Sequence, residues 1–80
     1  MSAYGELCRI MTINEFFGKK VKERRIALNL SQEKLANMAN IDRTYLPDIE
    51  SGRRNISLVV AEKIAKALEV ALTSLLEDYD

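Results

Sequence analysis

Between positions 43 and 48 the chain carries Arg43, Thr44, Tyr45, Pro47 and Asp48, a set of side chains that helix packing alone does not require. Their chemistry suits the edges of nucleic-acid bases. The guanidinium of Arg43 can bond guanine O6 and N7 together, and one such contact carries roughly 1–3 kcal/mol of discrimination. Thr44 can donate to a base or press its methyl on thymine, and Tyr45 can reach a phosphate or a base edge. Asp48, one turn further along, can accept from cytosine N4 or orient Arg43. The Pro47 ring offers an apolar face to a thymine methyl or to the sugar-phosphate wall; the plainer reading is a tolerated residue on an exposed surface. Upstream, Gln32 stands in the first turn of a predicted helix whose free N–H groups suit a phosphate. Singly, Arg43 and Asp48 also read as solvated charges, Tyr45 as a partly buried ring and Gln32 as an ordinary helix-start residue. Their coincidence on one frame favours the nucleic-acid reading.

That frame is the stretch from Ser31 to Gly52. Ser31 is a good N-cap, and Leu35, Met38 and Ala39 fall on one face of a short amphipathic helix. Asn40-Ile41-Asp42 breaks the pattern, and the Asp42 carboxylate can cap a second helix beginning at Arg43, with Leu46 and Ile49 turned inward. Two short helices joined by a tight turn, with polar groups outward at the start of the second, form a helix-turn-helix suited to the major groove. In such a helix Pro47 lies just past the first turn, where a missing N–H predicts a kink or a loosened start. Gly52 ends the helix in a left-handed conformation, leaving Arg53-Arg54-Asn55 as the following loop.

The flanking segments supply the scaffold. Thr12-Ile13-Asn14-Glu15 is a capping box, so a first helix begins there, with Ile13, Phe16, Phe17, Val21, Ile26 and Leu28 toward the core and Asn29 as a left-handed cap. Ser57 caps a fourth helix whose inner face is Leu58, Ala61, Ile64, Ala65 and Leu68. Glu69-Val70 interrupts the pattern, and Leu72, Leu75 and Leu76 restart it as a fifth, with Ala71 a poor cap. The predicted architecture is all-α, a compact five-helix bundle over residues 12–80. Residues 1–11 form either a frayed arm or extra turn, or an arm that touches DNA or a second copy.

Composition narrows the function. Eighty residues make one domain with a thin core, where association helps stability. The single Cys8 excludes an intramolecular disulfide, and with no His a metal site is not expected. No apolar run reaches the roughly 18 residues of a membrane span, and no leader pattern is visible, so a cytoplasmic location without membrane association is expected. Absent histidines, paired catalytic carboxylates and a Gly-rich phosphate loop argue against an enzyme, and no cofactor is expected. The formal net charge is zero. Cations are nevertheless clustered, Lys19, Lys20, Lys22, Arg24 and Arg25 in one run and Arg43, Arg53 and Arg54 in another, so a neutral chain can present one basic face. Weak non-specific DNA binding should accompany that neutrality.

The run LSQEKLANMANIDRTYLPDIESGRRNIS resembles the Cro and phage-repressor family of helix-turn-helix proteins, the xenobiotic-response-element type with a lambda-repressor-like DNA-binding domain. Within it, IDRTYLPDIESGRRN is most similar to the controller proteins of restriction-modification systems. The resemblance extends from about Thr12 to Leu76. It implies an ion pair, largely buried, between Arg25 and Glu50, and it makes Arg54 and Asn55 DNA contacts. It implies a transcriptional regulator acting on its own operon and a neighbouring restriction gene, with Glu33 on the exposed side of the second helix placed for RNA polymerase. A phage-type repressor, an antitoxin of the same fold, and a helical interaction module without DNA binding are the alternatives. One module contacts too few base pairs for genomic specificity, so a homodimer on double-stranded operator DNA is expected, with half-sites about 34 Å apart. Leu72, Leu75, Leu76 and Tyr79 exceed what the core obviously needs and are the expected dimer seam.

Overall fold

Thr12 sets where the first helix starts. In the computed structural model, which describes residues 11–79, its hydroxyl accepts from the Glu15 N–H at 3.1 Å while the Glu15 carboxylate accepts from the Thr12 N–H at 2.8 Å. The reciprocal pair satisfies two free donors and opens α1, Ile13–Ala27. Ser31 and Ser57 act likewise at α2, Gln32–Ala39, and α4, Leu58–Ala67, accepting from the N–H groups of Lys34 and Val60. Between them lies α3, Tyr45–Ser51. A single 3₁₀ turn, Leu72–Leu75, follows. No strand occurs among the described residues, and none of the helices is long and apolar enough to cross a membrane.

All four α-helices among the described residues stop the same way. Asn29, Asn40, Gly52 and Glu69 have φ of 59°, 57°, 79° and 61°. After each, the next N–H reaches back to a carbonyl five residues earlier: Leu30 to Arg25, Ile41 to Ala36, Arg53 to Asp48 and Val70 to Ala65. Gly and Asn tolerate that conformation cheaply, whereas Glu69 is held there against its own preference.

Phe16, Val21, Leu35, Leu46, Ile49, Ile64 and Leu68 are almost entirely shielded from water, joined by Phe17, Ala36, Ala39, Ala61, Ala65 and Leu75. Four residues expected inside are not. Ile13 and Leu58 are the first residues of their helices and project past the rim of the core, 49% and 78% exposed. Ile26 lies about 180° around α1 from Phe17 at 3.6 residues per turn. Met38 is turned out because the inward line of α2 passes through Leu35, Ala36 and Ala39.

The fifth helix is also corrected. Ala71 provides no side-chain cap, so Leu72–Leu75 makes one 3₁₀ turn and the chain reverses again. The segment folds back onto its own chain. Leu75 enters the core, Leu72 and Leu76 pack half-buried against it, the Tyr79 ring meets Phe16 at 5.3 Å between centroids, and the Tyr79 hydroxyl donates to the Met11 carbonyl at 3.4 Å. Leu75 is thus used within the chain, while Leu72, Leu76 and Tyr79 keep partly exposed faces. The expected arm at residues 1–11 lies outside the described residues except for Met11.

α1 and α3 cross at Gly18. A Cβ there would collide with the Ile49 carbonyl oxygen and stand 2.7 Å from that of Glu50. Backbone cannot yield as a flexible side chain would. Gly18→Ala should therefore cost about 1–3 kcal/mol despite Ala's better helix propensity, read as a lower urea midpoint with an unchanged m-value.

Candidate nucleic-acid interface

The interface is built on one desolvated carboxylate. Glu50, at the end of α3, accepts from Arg25 Nε at 2.7 Å on one oxygen and from Arg25 Nη2 at 3.2 Å on the other. The side chains are 12% and 4% exposed for Arg25 and Glu50. Arg25 also donates to the Leu30 carbonyl at 2.7 Å, and Gln32 Nε2 donates to Glu50 at 3.0 Å. One network thus joins α1, the loop before α2, the first residue of α2 and the last turn of α3. Gln32 is half-buried within it, with its amide nitrogen committed to Glu50.

The turn between α2 and α3 is fixed by Asp42. Its carboxylate accepts from the Thr44 N–H at 2.9 Å and the Thr44 hydroxyl at 2.8 Å. Those two hydrogen bonds, aided by the Arg43 charge, hold the Asp42 carboxyl below the usual aspartate range. With its proton given to Asp42, Thr44 presents its methyl and lone pairs rather than a donor. Asp42 closes the turn but does not cap the helix, which begins two residues later than expected, at Tyr45, with Thr44 at its N-cap and no side-chain cap hydrogen bond. Pro47 explains the delay: it has no N–H for the Arg43 carbonyl, which Leu46 N–H takes instead at 3.3 Å. Pro47 consequently falls in the first turn of α3, where it leaves no bond missing, and Arg43 sits in the turn ahead of the helix.

Tyr45, Asp48 and Arg54 are brought into contact. The Arg54 guanidinium lies 4.5 Å from the Tyr45 ring centroid and 3.7 Å from the Asp48 carboxylate, which also accepts from Arg53 at 3.1 Å. Arg43, Thr44 and Pro47 are exposed beside them. Arg43 Nη1 donates to Glu33 on α2 at 2.6 Å. Asn55 stands apart from this cluster: its amide oxygen accepts from Asn14 Nδ2 at 2.5 Å, which ties the loop to the start of α1. Sequence reading did not find Glu33 with Arg43, Arg53 with Asp48, or Asn14 with Asn55. The first two lie ten and five residues apart outside any common helix, and the third spans 41, so no periodicity announces them.

An outward face carrying guanidiniums, an aromatic ring and a threonine methyl can bond base edges and phosphates. Its rigidity depends on the network behind it. Arg25→Met should cost about 3–5 kcal/mol by leaving Glu50 buried without its cation, while Arg25→Met with Glu50→Leu should regain much of that loss; urea midpoints of the three proteins decide it.

Comparison with known proteins agrees with this geometry. A family model described as helix-turn-helix matches residues 21–75. The chain is 50% identical over 66 residues to the control protein C.BamHI of Bacillus amyloliquefaciens, covering 81% of this chain and 82% of that one. It is 45% identical to the control protein C.MunI of a Mycoplasma species, covering 80% and 88%. The crystal structure of the restriction-modification controller protein C.AhdI from Aeromonas hydrophila superposes with a TM-score of 0.74 at 43% identity, covering 76% of this chain and 92% of that one. On fold and sequence together, the chain belongs to the helix-turn-helix family and, within it, to the control proteins of restriction-modification systems.

Proposed function

We propose that this controller regulates transcription by binding the promoter DNA of its own operon as a homodimer, inserting the start of α3 into the major groove. The observation that carries the reading is Arg43. It stands in the turn before α3 with its side chain 69% exposed and its Nε and Nη2 without hydrogen bonds among the described residues. That open edge matches guanine O6 and N7. Thr44 supplies a methyl for thymine, Tyr45 and Pro47 flank the groove wall, and Arg54 with Asn55 reaches the backbone. Asp48 holds Arg54 against Tyr45. Gln32 contributes through the N–H groups at its helix start, since its amide belongs to Glu50.

A second copy is needed for a site long enough to be specific. Because Leu75 and Tyr79 are used within the chain, the seam is reassigned chiefly to Leu58 and Val59, adjacent aliphatics 78% and 63% exposed at the start of α4. The uncovered edges of Leu72 and Leu76 extend it. Activation of transcription adds a contact with RNA polymerase, for which Glu33 on the outer side of α2 is the group offered.

A mobility shift with the DNA upstream of its own gene, at two salt concentrations, tests the reading. Specific, salt-weakened binding is expected, and Arg43→Ala should reduce it roughly 5- to 150-fold with little change on scrambled duplex. Absence of any specific complex would leave a helical interaction module instead. For the dimer, sedimentation of Leu58→Lys with Val59→Lys should give a folded monomer with weakened operator binding; a wild-type monomer at concentrations that saturate operator would reject the seam.

A further inference from the structure

We propose that Glu33 is a positioning residue for base readout, fixing the Arg43 guanidinium so that its Nε and Nη2 edge is offered to guanine. This rests on the reading of Arg43 as the base-contacting group. The geometry is a contact of 2.6 Å between Arg43 Nη1 and Glu33 Oε2, bridging α2 and the turn before α3.

The two partners differ in how firmly they are mounted. Glu33 is the second residue of α2, directly after the Ser31 cap and Gln32, whose side-chain amide is anchored to Glu50. Arg43 lies outside any helix, on a side chain with several free rotations. Left alone, its charged end would sweep a wide arc and lose that freedom each time it met a base. A guanidinium has five N–H donors in a rigid plane, so bonding one terminal nitrogen fixes the plane without exhausting it. With Nη1 held by Glu33, the side edge remains for the two acceptors of guanine. The other carboxylates nearby are already engaged, Asp42 by Thr44 and Asp48 by Arg53 and Arg54. An exposed pair of this kind adds little to folding, so its effect is expected in orientation.

The proposal is separable from ordinary electrostatics by sign. Removing a carboxylate from a DNA-facing surface lowers repulsion from phosphate, and on that ground alone Glu33→Ala would tighten binding to every duplex. A positioning role predicts the opposite for the operator. Ordering one long side chain at an interface corresponds to roughly a 2- to 12-fold change in affinity, so the ratio of operator to scrambled-duplex affinity should fall by about that factor. Binding to scrambled duplex should stay level or rise.

The experiment measures affinity for both duplexes at one salt concentration with wild type, Glu33→Ala, Glu33→Gln, Arg43→Ala and the Glu33→Ala/Arg43→Ala double variant, each checked for an unchanged urea midpoint. Glu33→Gln keeps an acceptor and should retain most of the ratio. Glu33→Ala should have no effect on the ratio once Arg43 is already alanine. Arg43→Ala lowering the ratio while Glu33→Ala leaves it level or raises it would overturn the positioning role and spare the base-readout reading. An Arg43→Ala protein with undiminished ratio would instead remove the reading on which the role rests.

Discussion

A single carboxylate at the end of a seven-residue helix holds this domain in its working shape. Glu50 receives Arg25 from α1 and Gln32 from α2, and Arg25 in turn holds the Leu30 carbonyl in the loop between those helices. Taking such a pair out of water costs several kcal/mol per ion, which the mutual attraction roughly offsets, so net stability is a poor account of why it is there. Orientation is a better one. An acceptor with two oxygens and two donors arriving from different helices fixes both the angle and the register at which α3 meets its neighbours. Gly18 supplies the matching steric condition, since only a residue without Cβ lets α1 rest on the Ile49 and Glu50 carbonyls.

What the clamp makes possible is a helix too short to be stable alone. Isolated helices under about 12 residues are marginal in water. α3 persists because its inward side chains Leu46 and Ile49 are buried, its end is closed by left-handed Gly52, and its entry is set by the Asp42 and Thr44 turn. Pro47 then falls where its missing donor does no harm, and Arg43 and Thr44 are left in the turn ahead of the helix. Arg43 gains reach in consequence. A helix starting at Arg43 would have carried the guanidinium on a regular face; a turn carries it beyond the helix end, within range of Glu33.

How much of this was legible in the sequence follows from the range of each interaction. The caps at Thr12, Ser31 and Ser57 and the left-handed stops at Asn29 and Gly52 are short-range, with donor and acceptor within a few residues, and local patterning found them. The helix-turn-helix frame is a sum of such local signals. The pairing of Arg25 with Glu50, across 25 residues, leaves no mark in periodicity and was expected only from resemblance. The fate of the last leucines was misread for a related reason: their spacing suits a helix, but Ala71 gives no cap, and packing of Leu75 and Tyr79 on distant residues decided the conformation. At the helix starts, Leu58 and Ile13 show that spacing identifies a face without showing where the core ends.

The zero net charge, at first sight an obstacle to DNA binding, becomes intelligible at the level of pairs. Near α3, Arg43 faces Glu33, and Arg53 and Arg54 share Asp48. Exposed pairs of this kind are worth at most about 1 kcal/mol each, so DNA can loosen them at small cost, yet a featureless run of phosphates has little more to offer the same cations. Binding away from the proposed operator would thereby be weakened. On the proposed reading, a guanine in register would offer two aligned acceptors to the open edge of Arg43, a gain that uniform phosphate cannot imitate. On that reading, carboxylates among the basic residues lower affinity for DNA in general more than affinity for the right sequence, and selectivity would come from internal neutralisation combined with a rigid frame.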